Sequence, residues 1–285
     1  MGAPELLGAL LSWPALGLIG LCVGSFLNVV IHRLPLMLER QWRAESAELL
    51  GVPAKNEGEP LSLSRPRSRC PSCGHQIRWY ENIPLVSWLV LRARCSACKA
   101  PISVRYPLFE LLTGLLFAAV GWHYGAQPQA LLWCGFAATL VALAAIDWDT
   151  TLLPDDLTLP LLWAGLIAAA LGWTLPLGTA IWGAVAGYLS LWAVYWLFKL
   201  TTGKEGMGRG DFKLLAALGA WLGWQMLVPI LLAASVIGAV VGIAMKLSAQ
   251  LREGRYVPFG PFLAGAGLVV MLAGAPRVVD WLGWA

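Results

Sequence analysis

Five aspartates stand at the ends of long apolar runs. Asp147 and Asp149 close one run, Asp155 and Asp156 precede the next, and Asp211 opens a third. Burying a carboxylate in or beside a membrane is costly, so acids in these places call for a functional explanation. Two carboxylates brought close resist double ionisation and share one proton. The ionised member can take a proton from a bridging water, which attacks a peptide carbonyl. The neutral member polarises that carbonyl and protonates the departing amine. Such chemistry needs no metal. Helix capping is the plainer role, because Asp at a helix start satisfies free N–H groups. It suits Asp149 to Asp156 well, and for Asp211 alone it serves as well as catalysis does. The lead-in to Asp211 shifts the balance: Gly203-Lys204-Glu205-Gly206-Met207-Gly208-Arg209-Gly210 places four glycines in eight residues. That composition permits tight backbone geometry and close approach of a substrate chain. It is neither a dinucleotide fingerprint nor a P-loop, since the glycine spacing is wrong and no Gly-Lys-Ser/Thr follows. Composition alone does not choose between Asp147 and Asp149 as the second acid.

A second constellation is thiol-based. Cys70 with Cys73 and Cys95 with Cys98 form two CxxC turns, and two such turns complete a tetrahedral four-thiolate shell suited to Zn2+. The 21 residues between the pairs slightly exceed the usual spacing. Two disulfides or a redox pair are the competing readings, disfavoured by the cytoplasmic placement argued below. A closed four-cysteine site has no open position for water, so the metal is expected to be structural. His75 beside the cluster reads as a solvated loop histidine, because four cysteines suffice. Cys22 and Cys134 lie inside apolar runs and read as small packing residues.

The elements that must position these groups are apolar. Of 285 residues, 58% are hydrophobic and 13% charged, against about 25% charged in a soluble domain. Lipid is the expected solvent, and the sixteen tryptophans suit the membrane–water boundary. Candidate spans are 6–31, 107–124, 130–146, 157–173, 178–198, 214–223, 226–247 and 259–273, judged against the roughly 20 apolar residues a membrane helix needs. The first lacks a basic lead, with Glu5 its only nearby charge, and ends on His32 and Arg33 without a cleavage site. It is read as a retained helix rather than a signal peptide. Trp224 and Gln225 offer a turn that divides 214–247 into two spans.

Charge supports that division. With eight spans, nineteen of the twenty Lys and Arg residues fall on one side and only Arg277 on the other. The basic side is cytoplasmic by the positive-inside bias, which puts both termini outside. The net charge of +4 reflects this segregation rather than nucleic-acid binding. The fold class expected is an all-α polytopic membrane protein of about eight transmembrane helices, with a cytoplasmic zinc-binding loop domain between the first and second. Residues 1–32 form the first helix, 33–106 the basic four-cysteine domain and 107–285 the membrane domain carrying both aspartates. Segment 33–106 does not read as a long amphipathic helix, and Pro53, Gly58, Pro60 and Pro66 mark residues 51–69 as irregular. No internal repeat is evident.

Gly208-Arg209-Gly210-Asp211 is a GxGD element, and the run from Gly203 to Leu215 resembles the bacterial type IV prepilin peptidases, a family of GxGD aspartyl proteases. The likeness extends over Gly24-Ser25-Phe26-Leu27-Asn28-Val29, His32-Arg33-Leu34-Pro35, both CxxC turns, Glu81-Asn82-Ile83-Pro84, Arg105-Tyr106-Pro107, Ile146-Asp147, Leu153-Pro154-Asp155 and Pro258-Phe259-Gly260-Pro261. It thus covers nearly the whole chain. The resemblance implies Asp147 and Asp211 as the catalytic pair, with Gly208 and Gly210 as catalytic-loop glycines. It implies cleavage of the basic leader of type 4 prepilins and type II secretion pseudopilins at the cytoplasmic face of the bacterial inner membrane. The four-cysteine loop implies in addition N-methylation of the new N-terminal residue with S-adenosylmethionine, whose site is expected near the first helix and the cytoplasmic loop. A peptidase without methylation is the nearer alternative. A proton- or cation-coupled transporter is the alternative of another class, although its acids would sit near mid-membrane; a noncatalytic zinc scaffold would leave the acids and glycines without a role. Asn28 could serve helix–helix hydrogen bonding, and Glu81, Glu110 and Glu205 could meet a basic leader.

Overall fold

Apolar segments of this length must satisfy their backbone polar groups internally, and a helix does so within one segment. The computed structural model describes residues 3–53, 60–248 and 257–283. Among them every regular element is helical, apart from two isolated β-bridges. Lys55, Gly58, Arg252 and Arg255 lie outside the described residues. The chain divides into two compact units, Met1–Ala138 and Thr139–Ala285.

The first unit holds α1 (Ala3–Leu10), α2 (Trp13–Leu49), the cysteine loop with a short α3 (Val86–Val90), α4 (Arg105–Tyr124) and the start of α5 (Gln129–Thr150). α2 packs on α4 along a seam of small residues. A Cβ on Gly20 would fall 2.7 Å from the Thr113 carbonyl oxygen, and one on Gly24 the same distance from Glu110 Cα, so side chains there would force the helices apart. Asn28 donates to the Tyr106 carbonyl at 3.1 Å across the same seam, in keeping with the helix-bonding role expected of it.

α2 corrects the expected limits of the first span. The apolar run breaks at Leu11–Ser12, and the helix then passes His32, Arg33 and Pro35 without stopping before Leu49. Residues 36–49 are rich in Leu, Glu, Arg and Ala, good helix formers. Glu39 with Arg43 and Gln41 with Glu45 add favourable i,i+4 pairs. Arg33 does not end the helix; it reaches out to hold the following turn, donating to the Ser62 and Pro66 carbonyls at 2.9 and 2.7 Å.

The second unit holds the end of α5, then α6 (Asp155–Ala170), α7 (Leu177–Thr202), α8 (Arg209–Leu222), α9 (Leu227–Leu247), α10 (Gly260–Ala273) and the short α11 (Ala275–Trp281). Gly223, with φ of 88°, ends α8, and a 3-10 turn at Trp224–Met226 leads into α9. The division expected at Trp224 and Gln225 is therefore present. α8 is the centre of this unit, packed by α6, α7 and α10; its residues from Asp211 to Leu222 are buried, except Lys213. Trp221 fits against Gly165 and donates to the Leu161 carbonyl at 2.8 Å, locking α8 to α6.

α7 and α8 run antiparallel in a definite register. Gly183 faces Gly219 and Gly187 faces Leu215 at backbone contact, while the rings of Tyr188 and Tyr195 flank that of Phe212 at 5.9 and 5.7 Å. Asp211 thus lies level with Leu191, and α7 continues eleven residues beyond it to Thr202. Trp13–Leu49, Gln129–Thr150, Leu177–Thr202 and Trp224–Leu247 are long and apolar enough to cross a membrane. Outward faces of α7 and α9 carry exposed Trp182, Leu189, Trp192, Val236 and Val240, surfaces suited to lipid rather than water.

Candidate active site and metal centre

The two buried aspartates meet at one end of the second unit. Asp147 lies in the last turn of α5 and Asp211 in the first turn of α8; they are 4% and 7% exposed. Asp149, Asp155 and Asp156 are exposed. Burial thus separates Asp147 from Asp149, which composition did not. Asp147 Oδ2 accepts a hydrogen bond from the Gly260 N–H at 3.0 Å, where α10 begins. A Cβ on Gly260 would fall 2.5 Å from that oxygen and 3.1 Å from Leu153 Cδ1. Leu153 also closes on the other acid's loop, since a Cβ on Gly210 would meet its Cβ at 2.8 Å. One leucine side chain therefore sits against both glycines.

Both acids also meet a free N–H at a helix start: Asp147 that of Gly260, the first residue of α10, and Asp211, in the first turn of α8, that of the N-cap residue Gly208. The N-cap of α8 is Gly208, with no side-chain cap bond, and that of α6 is Pro154. Asp155 instead receives Lys213 Nζ on both carboxylate oxygens at 2.7 Å, tying the start of α6 to the first turn of α8. Further along the glycine loop, Glu205 accepts from Lys199 Nζ at 2.8 Å and from the Tyr195 hydroxyl at 3.0 Å.

In the first unit the four cysteines converge. Cys70 and Cys98 sulfurs are 3.8 Å apart, Cys73 and Cys95 sulfurs 4.0 Å, and all four lie within 4.8 Å of one another. Tetrahedral thiolates at the usual Zn–S length of about 2.3 Å would stand about 3.8 Å apart, so the donor set fits such an ion. Each turn is a knuckle of the same construction. Cys70 N–H donates to the His75 carbonyl and Cys95 N–H to that of Ala100, both at 2.8 Å; bridges Arg69 to Gln76 and Arg94 to Pro101 close them. Gly74 and Lys99 hold equivalent left-handed positions, with φ of 73° and 61°. The knuckles are a short repeat that sequence reading missed, because only Arg-Cys-x-x-Cys is common to both. The Cys73 and Ser72 N–H groups draw the Cys70 thiol down to about 6, whereas Cys73, despite the His75 N–H, is pushed up to about 11 by Cys98 and the other sulfurs. Four crowded thiols resist full ionisation without a cation among them.

Two family models match the chain: the bacterial peptidase A24 N-terminal domain over residues 18–124 and the type IV leader peptidase family over 134–243. A prepilin leader peptidase/N-methyltransferase of Stutzerimonas stutzeri is 55% identical over 267 residues, covering 94% of this chain and 92% of the relative. The chain belongs to the type IV leader peptidase family. A relative of the same name from Pseudomonas putida is 56% identical over 90% of this chain and 88% of its own; one from Aeromonas hydrophila is 56% identical over 90% and 89%. No solved structure matches.

Within the family's sequence pattern, several residues acquire roles that linear reading left unassigned. Gly260 is the amide donor to Asp147, and Leu153 the side chain set against both acid loops. Both stand in stretches that carried the resemblance, Pro258 to Pro261 and Leu153 to Asp155, but no local signal links residues 113 positions apart. Glu81 is engaged internally: the Ser96 hydroxyl, the Arg78 N–H at 2.8 Å and His75 hold its carboxyl at about 2. Glu110 is 8% exposed and accepts from the Leu85 N–H at 2.8 Å. Glu205, paired with Lys199, keeps 64% of its side chain exposed.

Proposed function

We propose that the chain cleaves the basic leader from type 4 prepilins and type II secretion pseudopilins, with Asp147 and Asp211 as the catalytic pair. The observation that carries this is burial with convergence: among the described residues of Thr139–Ala285, these are the buried acids, and Leu153 packs against the loop of each. The pair shares one proton. Its ionised member activates a water and its neutral member polarises the scissile carbonyl. The glycines of the 203–210 loop let the substrate backbone approach, and the residues around the cleaved bond unwind first, since a helix shields its carbonyls.

The relatives' shared name supports a second reaction, N-methylation of the new N-terminus. S-adenosylmethionine supplies the methyl group when bound. The four cysteines hold a structural Zn2+ that folds the loop. Charge segregation supports eight spans in the bacterial inner membrane, with loop and acids cytoplasmic and both termini periplasmic.

Purified protein in detergent, incubated with a prepilin, tests the pair. Asp147→Asn and Asp211→Asn are each expected to slow cleavage by at least about a hundredfold; full cleavage by either variant overturns the assignment. The mass of the cleaved N-terminus, with S-adenosylmethionine present, reads methylation separately. Elemental analysis of reduced protein is expected to find one zinc per chain, and its absence would remove the metal from this account.

A further inference from the structure

The short helix α3 carries an apolar face turned outward. Val86, Leu89 and Val90 stand at i, i+3 and i+4, so they share one side of the helix. They are 53%, 66% and 74% exposed. The other side is anchored: Trp88 is half-buried, and its Nε1–H donates to the Ile102 carbonyl at 3.3 Å. Trp79 and Ile83, just before the helix, are exposed as well. Such a surface is costly to keep in water.

The level of this face follows from the seam between α2 and α4. The two helices run antiparallel, with Asn28 bonded to the Tyr106 carbonyl, Gly24 against Glu110 and Gly20 against Thr113. The Leu85 N–H, at the start of α3, donates to the Glu110 carboxylate at 2.8 Å. The start of α3 therefore lies near the level of Gly24, seven residues inside Ile31, where the apolar run of α2 gives way to His32 and Arg33. Seven residues of helix rise about 10 Å. Helices that lie in a membrane surface bury their apolar face by about 5–10 Å.

Charge identifies what meets the face. Residues 60–106 hold eight Lys or Arg and one acid, Glu81. That acid is already engaged by the Arg78 N–H and His75. Arg92 and Arg94, directly after α3, are exposed. An apolar face bordered by cations matches anionic lipid, and the exposed Trp79 suits the same boundary. Two copies of this loop set face to face would instead repel each other.

We infer that α3 is an interfacial helix: Val86, Leu89 and Val90 enter the membrane leaflet beside α2, and Arg92 and Arg94 meet its anionic phospholipid headgroups. The cysteine loop then rests on the bilayer instead of standing clear of it in water. This placement rests on the proposed reading of α2 as a membrane span and of the loop as cytoplasmic, which makes the leaflet the cytoplasmic one.

Photocrosslinking of the full-length protein in nanodiscs of phosphatidylethanolamine and phosphatidylglycerol tests it. The photoreactive residue p-benzoylphenylalanine is placed at Leu89, at the exposed Leu18 of α2, or at the exposed Ser46. Ser46 lies fifteen residues beyond Ile31, about 22 Å along the helix. Phospholipid adducts, read by intact mass, are expected from positions 89 and 18 and not from 46. In nanodiscs of phosphatidylcholine alone, the adduct at 89 is expected to fall at least about twofold while that at 18 holds. Equal yields at 89 in both lipids would overturn the part given to the arginines. An adduct at 18 without one at 89 overturns the placement, as does capture of a second chain or an added prepilin at 89 in place of lipid. No adduct at 18 would instead take α2 out of the membrane, and the reading beneath this one would fall with it.

Discussion

At the scale of single residues, the glycines around the acids differ in what they tolerate. Gly260→Ala would press a methyl to 2.5 Å from Asp147 Oδ2, and Gly210→Ala would set one 2.8 Å from Leu153 Cβ. Each is expected to cost about 1–3 kcal/mol by overpacking and to impair cleavage strongly, as thermal unfolding and prepilin processing would show. Gly208 has φ of −73° and room for a Cβ at 3.6 Å from Asp211 Oδ2. Gly208→Ala is therefore expected to unfold at the same temperature as the parent, and any loss of cleavage would appear in KM, through substrate approach. Glu81 yields a pH dependence. Its carboxyl, held at about 2 by the Ser96 hydroxyl, the Arg78 N–H and His75, lies below the ordinary value of about 4.3. A depressed folded-state pKa gives stability that is fully present above the unfolded value and lost as pH falls through the folded one. The gap in unfolding temperature between the parent and Glu81→Gln should hold at neutral pH and close between about pH 4.5 and 2. A gap that widened on acidification would contradict the assignment of these partners.

At the scale of elements, the Lys199–Glu205–Tyr195 cluster fastens the glycine loop to α7. Tyr195 is buried, and its ring also packs on Phe212, the neighbour of Asp211. The exposed ion pair alone is worth about 0.2–1 kcal/mol. Lys199→Ala and Glu205→Gln are each expected to lower kcat/KM a few-fold, and the double variant to be no worse than either, a cycle that processing assays can measure. Independent, additive losses would show that the two residues do not act together. Helix positions were largely legible because long apolar runs admit few other structures. The eight expected segments coincide with helices α2 and α4 through α10, and four of the stretches are long and apolar enough to cross a membrane. The missed boundary was the end of α2, where His32, Arg33 and Pro35 read as a stop although the residues after them favour helix. The acids themselves were legible as candidates. Their pairing needed either the resemblance or the burial, because Asp147 and Asp149 differ only in which side of the last turn of α5 they occupy. The Gly260 amide and the Leu153 side chain were not legible, since both depend on packing between segments far apart in sequence.

At the scale of the whole molecule, the distribution of basic residues predicts orientation. A cysteine introduced at Asp280 in α11 should react with a membrane-impermeant maleimide added outside intact spheroplasts, and one at Lys204 only after permeabilisation. The reverse pattern would invert the topology and place the acids on the wrong face for a leader still in the cytoplasm. The antiparallel register of α7 and α8 has one more consequence. Asp211 lies level with Leu191, and the eleven residues of α7 beyond it rise about 16 Å. On the proposed function, the end of α7 therefore stands above the acid pair on one side, and that height would act as a ruler on the substrate. An extended chain covers at most about 3.3–3.6 Å per residue, so about five residues are needed to climb from the cut bond to the end of α7. Prepilins whose leaders are trimmed to three residues, with the basic residue kept, should be cleaved much more slowly than those with six or seven. Equal rates for short and long leaders would mean that the scissile bond never descends to that depth.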